Sequence, residues 1–533
     1  MRLIWNSCAR AALAIFLLAA PAQATTWYVA ASGNDANAGT MSSPVATPAR
    51  ALELAAPNDT ILLRGGTYPI TRSLQIQQAG LTIASYPGEW ARITGGTRDL
   101  RKLTSILIVY TSNVTVSRLE LPGASYYGIK LDELNGPSTG IRISGVYIHH
   151  TGRDGIKTQY ADNVVIENNE IGFTGVRDPS NAEGIDVIGS IVATIRGNYV
   201  HDTATTGIYV KGGTRQATVE GNRVERTGHS GILLGSETDA IFMRNGVLPE
   251  AIDSIARNNI VVDPALAGLG SVAGDNVRFE NNTVINAARS GQAAFRVVPN
   301  DYATPSRAVL LKNNIFVLDA ASTRPMVQLF DYSDALVSDS NIWFSAAGQY
   351  AFWREFSTGG SSYWSTFSAW QTGVNGDWHS FTVDPLLSAG DLFKPLEGSP
   401  AVDAGEPLQD VTTDYSGTTR PKGAGYDIGA HEGTTTVATP PPPSAPQSLV
   451  ATTVSRSRVD LSWSDSSSSE TGFRVERATA GGAFVVIATL GPDAESFADT
   501  TVKPNRSYAY RVAAFNAVGI SPYSNTAAAT TRR

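Results

Sequence analysis

The stretch "VVIENNEI" at 164–171 is a short apolar alternation that breaks on two asparagines and then resumes. The same phrase returns as "ATIRGNYV" (193–200), "ATVEGNRV" (217–224), "SIARNNIV" (254–261), "VRFENNTV" (277–284) and "VLLKNNIF" (309–316). Aligned on the last asparagine of each (Asn169, Asn198, Asn222, Asn259, Asn282 and Asn314), the spacing falls mostly in the twenties, with longer excursions. Between these phrases a second strand opens on Gly-Ile, at Gly155, Gly184, Gly207 and Gly231. Short strands in a unit of this length, with one polar residue recurring at a bend, describe the coil of a parallel β-helix. Asparagine tolerates the left-handed backbone of a tight bend. Stacked coil on coil, its amides can bond along the column. A leucine-rich repeat would instead show leucines at fixed offsets, and these coils favour Ile and Val.

The flanks agree with that reading. "SPVATPARALELAA" (43–56) reads as a short one-sided helix that covers the first coil, and "NDTILLRGGTY" (58–68) begins the strands. "SPAVDAG" (399–405) and "RPKGAGYDIGAHEG" (420–433) close the helix, and "TTTVATPPPPSAP" (434–446) contains a proline-rich spacer. The remaining segments "VDLSWSD" (459–465), "GFRVERA" (472–478) and "YAYRVAAFNAVG" (508–519) read as a small β-sandwich, with Trp463 in its core and Tyr508 at a tyrosine corner. The division expected is 1–24 leader, 25–433 parallel β-helix with its closing segment, 434–444 linker and 445–533 sandwich.

Composition narrows the partners. In 533 residues, 17% are charged and the net charge is -7, which gives no reason to expect nucleic acid. Arg2 and Arg10 precede "AALAIFLLAA" (11–20), which is followed by Ala22-Gln23-Ala24, the layout of a cleaved export signal. Ten apolar residues are too few to span a bilayer, so the mature chain is expected to be secreted, with association to a cell surface as the alternative, monomeric and without a membrane span. Cys8, the single cysteine, leaves with the signal, which excludes disulfides and Cys-based metal sites.

Residues 27–433 resemble the secreted right-handed parallel β-helix proteins of the pectate-lyase-like fold, through "TWYVAASGNDANAGTMSSP" and the asparagine coils. "SPAVDAG…DYSGTTRPKGAGYDIGAHE" resembles the choice-of-anchor Q segment that ends such helices. Residues 445–533 resemble a fibronectin type III domain, through "LSW", "GFRVER" and "YAYRVAAFNAVG". The fold class implied is all-β. The same fold hosts lyases, hydrolases, epimerases and non-catalytic fibres, so activity must be argued from a site.

Side chains alternate in and out along a strand. With the Ile of each Gly-Ile turned inward, the next residues face out as Lys157, Asp186, Tyr209 and Leu233. Two further on come Gln159, Ile188, Lys211 and Gly235, and before each glycine stand Asp154, Glu183, Thr206 and Ser230. In coils about 4.8 Å apart, acids and lysines gather on one outer face. Surface charge pairing is one reading of that cluster. The other is a polysaccharide lyase acting on an acidic polysaccharide, in which carboxylates hold Ca²⁺ and a basic side chain takes the C5 proton of a uronate.

"RDGIK" (153–157) followed by "AEGID" (182–186) resembles the calcium coils of family 9 pectate lyases. The resemblance implies Asp154, Glu183 and Asp186 as Ca²⁺ ligands and Lys211 as catalytic base. Ala182 stands where that family has an aspartate, and "IYVKGG" puts Tyr209 in the family's lysine slot with Lys211 two residues on. Lys157, Tyr209, Arg215 and His229 are the candidate substrate contacts, with Arg177 as a further cation for a uronate carboxylate. "NAEGID" and "GHSG" resemble polygalacturonase motifs, yet "TATTGI" (203–208) lacks the acid pair that hydrolysis needs. His149, His150 and His201 read as turn histidines. Trp353, Trp364, Trp370 and Trp378 read as the core of an excursion rather than a sugar platform. A non-catalytic glycan-binding or adhesion protein is the alternative function.

Overall fold

The computed structural model describes residues 23–95, 103–132, 136–246, 248–330, 336–356, 359–390, 392–433, 443–467, 470–479, 481–516 and 519–533. The expected signal (Arg2, Cys8 and Arg10 included) and most of the proline spacer lie outside these residues. The chain forms two compact units, up to Thr434 and from Thr435.

The first unit is a parallel β-helix with three sheets of 14, 12 and 11 strands among the described residues. Strands that lead into the asparagines, such as Val164–Glu167 and Thr214–Glu220, form the first sheet. Strands that leave them, such as Tyr199–His201, form the next. The Gly-Ile strands form the third: Ile129–Asp132, Ile156–Gln159, Ile185–Ile188, Ile208–Lys211, Ile232–Leu234, Leu269–Val272, Phe295–Val298, Val327–Phe330 and Phe352–Glu355. Inward Ile, Val and Leu fill the interior; Ile156, Ile185 and Ile208 are fully buried. Glycine before each of these strands is a packing requirement. A Cβ on Gly155 would lie 2.3 Å from Ile171 Cγ2 and 2.8 Å from the Gly184 carbonyl oxygen.

The asparagine column is continuous. Asn169 Nδ2 donates to Asn198 Oδ1 at 2.9 Å, Asn198 to Asn222 at 2.9 Å, Asn222 to Asn259 at 3.0 Å, and so on through Asn282 and Asn314. It runs one coil further than the repeated phrase indicates, to Asn341, whose backbone N–H is received by Ser380 Oγ. The left-handed residue is not the ladder asparagine but the one before it: Asn168, Gly197, Gly221, Asn258, Asn281 and Asn313 all have positive φ. That residue turns the chain, and the turn points the next amide inward along the stack.

The N-terminal cover is shorter than its sequence window, a helix over Pro48–Leu54 capped by Thr47 Oγ1. At the other end the closing segment does not stopper the helix as expected. It doubles back onto the outside of the asparagine turns: Asn258 Nδ2 donates to Thr413 O, Asn281 Nδ2 to Asp427 O, and Asn313 Nδ2 to Glu406 O. Arg420 is buried there between Glu432, Asn258 and Gly429. The tryptophan-rich excursion covers the last coils instead. Ser361–Trp364 adds an antiparallel strand, and the helix Phe367–Val374 lays fully buried Trp370 on Phe352 at 4.8 Å between ring centroids. Trp353 and Trp364 are half-buried and Trp378 is exposed.

The second unit packs a three-stranded on a four-stranded antiparallel sheet around Leu461, Trp463, Phe473 and Tyr510. Tyr508 Oη accepts a bond from Lys503 N at 2.9 Å, the corner expected of it.

Asn222 accepts from both the backbone and the side chain of Asn198, and donates to Ile195 O. Asn222→Ala leaves those buried groups without partners, so it is expected to cost about 2–4 kcal/mol in chemical denaturation. A loss under about 0.5 kcal/mol would contradict a structural role for the ladder.

Candidate active site

Register places the charged residues. In the third sheet Lys130 stands opposite Lys157, Lys157 opposite Asp186, Asp186 opposite Tyr209, and Ile188 opposite Lys211. The turns before these strands are in step too, since Gly155 N bonds Glu183 O and Gly184 N bonds Thr206 O. Asp154, Glu183 and Asp186 therefore meet from two successive coils, with one ligand atom of each lying within 4.8 Å of the others. Asp154 and Asp186 are fully buried and Glu183 nearly so.

Two lysines compensate this charge. Lys157 Nζ lies 3.1 Å from Asp154 Oδ2 and 2.5 Å from Asp186 Oδ2, while Lys211 Nζ lies 3.6 Å from Asp186 Oδ1 and sits 4.5 Å from the centre of the Tyr209 ring. Three buried carboxylate oxygens are left without a hydrogen-bond donor: Asp154 Oδ1, Glu183 Oε2 and Asp186 Oδ1. Thr206 Oγ1, in the next turn of the same column, is also unpartnered. Buried oxygens are normally satisfied, so three acids that each leave one open suit a hard cation taking oxygen ligands. Ala182, fully buried, adds none.

The electrostatics show the strain of this arrangement. Burial, then the charges of Asp154 and Asp186, push the Glu183 carboxyl up to about 8. Burial acts on Asp186 in the same direction, but Lys157 and Lys211 outweigh it and hold that carboxyl below its ordinary range. Burial would lower both lysines. Asp186 and Asp154 raise Lys157 well above its usual value instead, and Asp186 and Glu183 raise Lys211.

The cluster opens into a groove of about 400 Å³ lined by Tyr126, Tyr127, Lys130, Arg153, Lys157 and Lys211 among others. Lys130 was marked in the sequence by an earlier Gly-Ile, Gly128-Ile129, outside the four that define the repeat. Arg153 donates to Tyr126 Oη at 2.7 Å and Tyr127 Oη at 3.3 Å. Tyr126, Tyr127 and Arg153 are among the groove residues that sequence reading missed: they stand two or fewer residues before Gly128 and Gly155, and strand alternation does not give the direction of a turn side chain.

The remaining candidates fall elsewhere. Tyr209 is half-buried beneath Lys211. Lys157 is engaged by two carboxylates, which makes it their counter-ion before it can be a substrate contact. Arg215 is exposed on the first sheet, opposite Ile191 and Ile252, away from the cluster. His229 is exposed in a later turn, its backbone N bonded to Thr205 O. Arg177 donates to Ser125 O at 3.3 Å. His149, His150 and His201 join Tyr147, Phe173 and Tyr199 in an aromatic stack at the sheet of strands that leave the asparagines.

Comparison with known proteins agrees with this architecture. Residues 133–316 match the family model "Right handed beta helix region", and residues 444–530 match "Fibronectin type III domain". Pectate lyase PEL9 of Emericella nidulans is 31% identical over 160 residues, 29% of this chain and 36% of that protein, so the match spans about a third of the relative. The crystal structure of pectate lyase Pel9A superposes with a TM-score of 0.51 at 15% identity, covering 77% of this chain and 96% of that one. The first unit is thus a right-handed parallel β-helix of the pectate-lyase-like fold, and the second carries a fibronectin type III domain.

Glu183 binds its proton more tightly folded, at about 8 against an ordinary 4.5. Its contribution to stability is fully present below the lower value and lost as pH rises through the higher one. In chelator, the denaturation midpoint is expected to fall across that window, and Glu183→Gln should remove most of the slope. A wild-type midpoint that is flat there would contradict the clustering of the three acids.

Proposed function

We propose that this protein is a secreted polysaccharide lyase that cleaves a uronate polymer by β-elimination, with Lys211 as the base. The observation that carries the reading is the set of three buried carboxylate oxygens without hydrogen-bond donors, one of them 3.6 Å from Lys211, at the head of a groove lined by Lys130, Arg153, Lys157 and Lys211 together with Asp132, Glu237 and Asp239. Similarity to PEL9, a pectate lyase, supports the same class.

Lys130, Arg153 and Tyr209 would receive the polyanion and fix a uronate over Lys211. Asp154, Glu183 and Asp186 would hold Ca²⁺, which supplies the positive charge that neutralises the uronate carboxylate and acidifies its C5 proton. Lys157 stays on the opposite side of Asp154 and Asp186, bonded to their other oxygens, and keeps them oriented. Lys211 must be without its proton to act as base, which Asp186 and Glu183 oppose while they carry charge. A free Lys211 amine would take the C5 proton, C4=C5 would form as the C4–O4 bond breaks, and the departing oxygen would take a proton from water.

A non-catalytic uronate-binding protein is the second reading. It is favoured by the buried Ala182 at the fourth ligand position and by the charge that keeps Lys211 an ammonium. The ultraviolet absorbance of the unsaturated product separates the two. Pectate, alginate and a glycosaminoglycan are each incubated with the mature protein, in Ca²⁺ or in EDTA. A calcium-dependent rise is expected on one polymer, reduced about 10²–10⁴-fold by Lys211→Ala. Binding of a polymer with no rise would contradict the lyase and leave the binding protein.

A further inference from the structure

The outward column that carries Lys157, Asp186 and Tyr209 continues past the acids. Its next members are Leu233, Gly270, Arg296, Gln328 and Trp353, each opposite the one before. Arg296 is unusual among them. It forms no ion pair and no hydrogen bond among the described residues, and its Nε is buried without an acceptor. Gln328 Oε1, one coil on, is likewise buried and unpartnered. Burial depresses the Arg296 guanidinium, against the pull of Glu237 and Tyr209, the charged and titratable groups that act on it. Glu237 is exposed and also lines the groove at Lys211.

Gly270 directs this arginine. A Cβ there would lie 2.8 Å from Arg296 Cγ and 3.0 Å from Leu233 Cδ2, so the arginine stem crosses the space a side chain would fill. The guanidinium is thereby laid back along the column toward Tyr209. A half-buried guanidinium costs free energy unless a partner completes it, and its planar fork matches a carboxylate.

We propose that Arg296, with Gln328 beside it, forms a distal subsite for a second uronate carboxylate on the chain that occupies the groove. The proposal rests on the uronate-binding reading above and deepens it. Three coil rises, about 14 Å, separate the strands of Tyr209 and Arg296; the guanidinium reaches back over part of that span and meets a sugar beyond the one over Lys211. Arg296 takes the carboxylate in a bidentate grip, and Gln328 takes a neighbouring hydroxyl. Long substrates with free carboxylates are therefore preferred over short or esterified ones.

The test uses the full mature chain with polygalacturonate, its methyl ester and alginate, in a Lys211→Ala background for binding and the native background for turnover. Arg296→Gln is expected to weaken binding of the free-acid polymer about tenfold or more and to flatten its salt dependence. It should raise KM with kcat held. Gly270→Ala keeps the charge but closes the path of the stem, and should weaken binding in the same sense. Esterified polymer should not distinguish Arg296→Gln from its parent. Unchanged binding and KM in a folded Arg296→Gln, on a polymer the native protein binds, overturns the subsite alone. A native protein that neither binds nor cleaves any of the polymers overturns the uronate reading and the subsite with it.

Discussion

The buried asparagine column sets the register on which everything else depends. Each amide is bonded to the next, to a carbonyl of the coil behind, and to a backbone N–H, so a coil cannot slip without breaking several buried bonds at once. In a parallel helix a one-residue slip would also reverse inside and outside. Fixed register converts residues scattered through the chain into straight columns. Asp154 and Glu183 are 29 positions apart yet occupy adjacent turns of one column, as the bond from Gly155 N to Glu183 O shows.

What the columns hold runs against folding economy. Three buried carboxylates and two largely buried lysines are gathered in one place, and breaking such a set is expensive. Pairing is incomplete even so: Asp154 Oδ1 and Glu183 Oε2 have no hydrogen-bond donor, and Asp186 Oδ1 has only Lys211 Nζ at 3.6 Å. The Glu183 carboxyl yields by holding its proton, while Asp186, gripped by two lysines, cannot. Other buried acids are held singly: Glu432 takes Arg420, Asp59 takes Trp27 Nε1 together with two backbone N–H groups, and Glu280, which leaves Oε2 open, has Arg278 at 3.2 Å from Oε1. The contrast sets the acid cluster apart from ordinary structural ion pairs.

Repetition made the fold legible. Gly-Ile and the asparagine phrase recur, and strand alternation then gives the outward face, so Asp154, Glu183, Asp186, Lys157, Tyr209 and Lys211 were readable as one group. Position within a repeat does not say how far a side chain reaches, and Arg215 and His229 illustrate that limit. Arg215 belongs to another sheet, and His229 stays in an exposed turn. The engagement of Lys157 was equally hidden, since alternation gives direction but not partner. Closure was misjudged because sequence order suggests that the last segment covers the last coil. Side-chain amides of Asn258, Asn281 and Asn313 instead draw it back along the turns.

The central claim is that register builds a cation site from Asp154, Glu183 and Asp186. Calorimetric titration of Ca²⁺ into the mature, chelator-stripped protein tests it most directly, beside Asp186→Asn. One ion bound per chain, and none by the variant at the same concentrations, is the predicted result. No binding by the native protein, or equal binding by a folded Asp186→Asn, would contradict it.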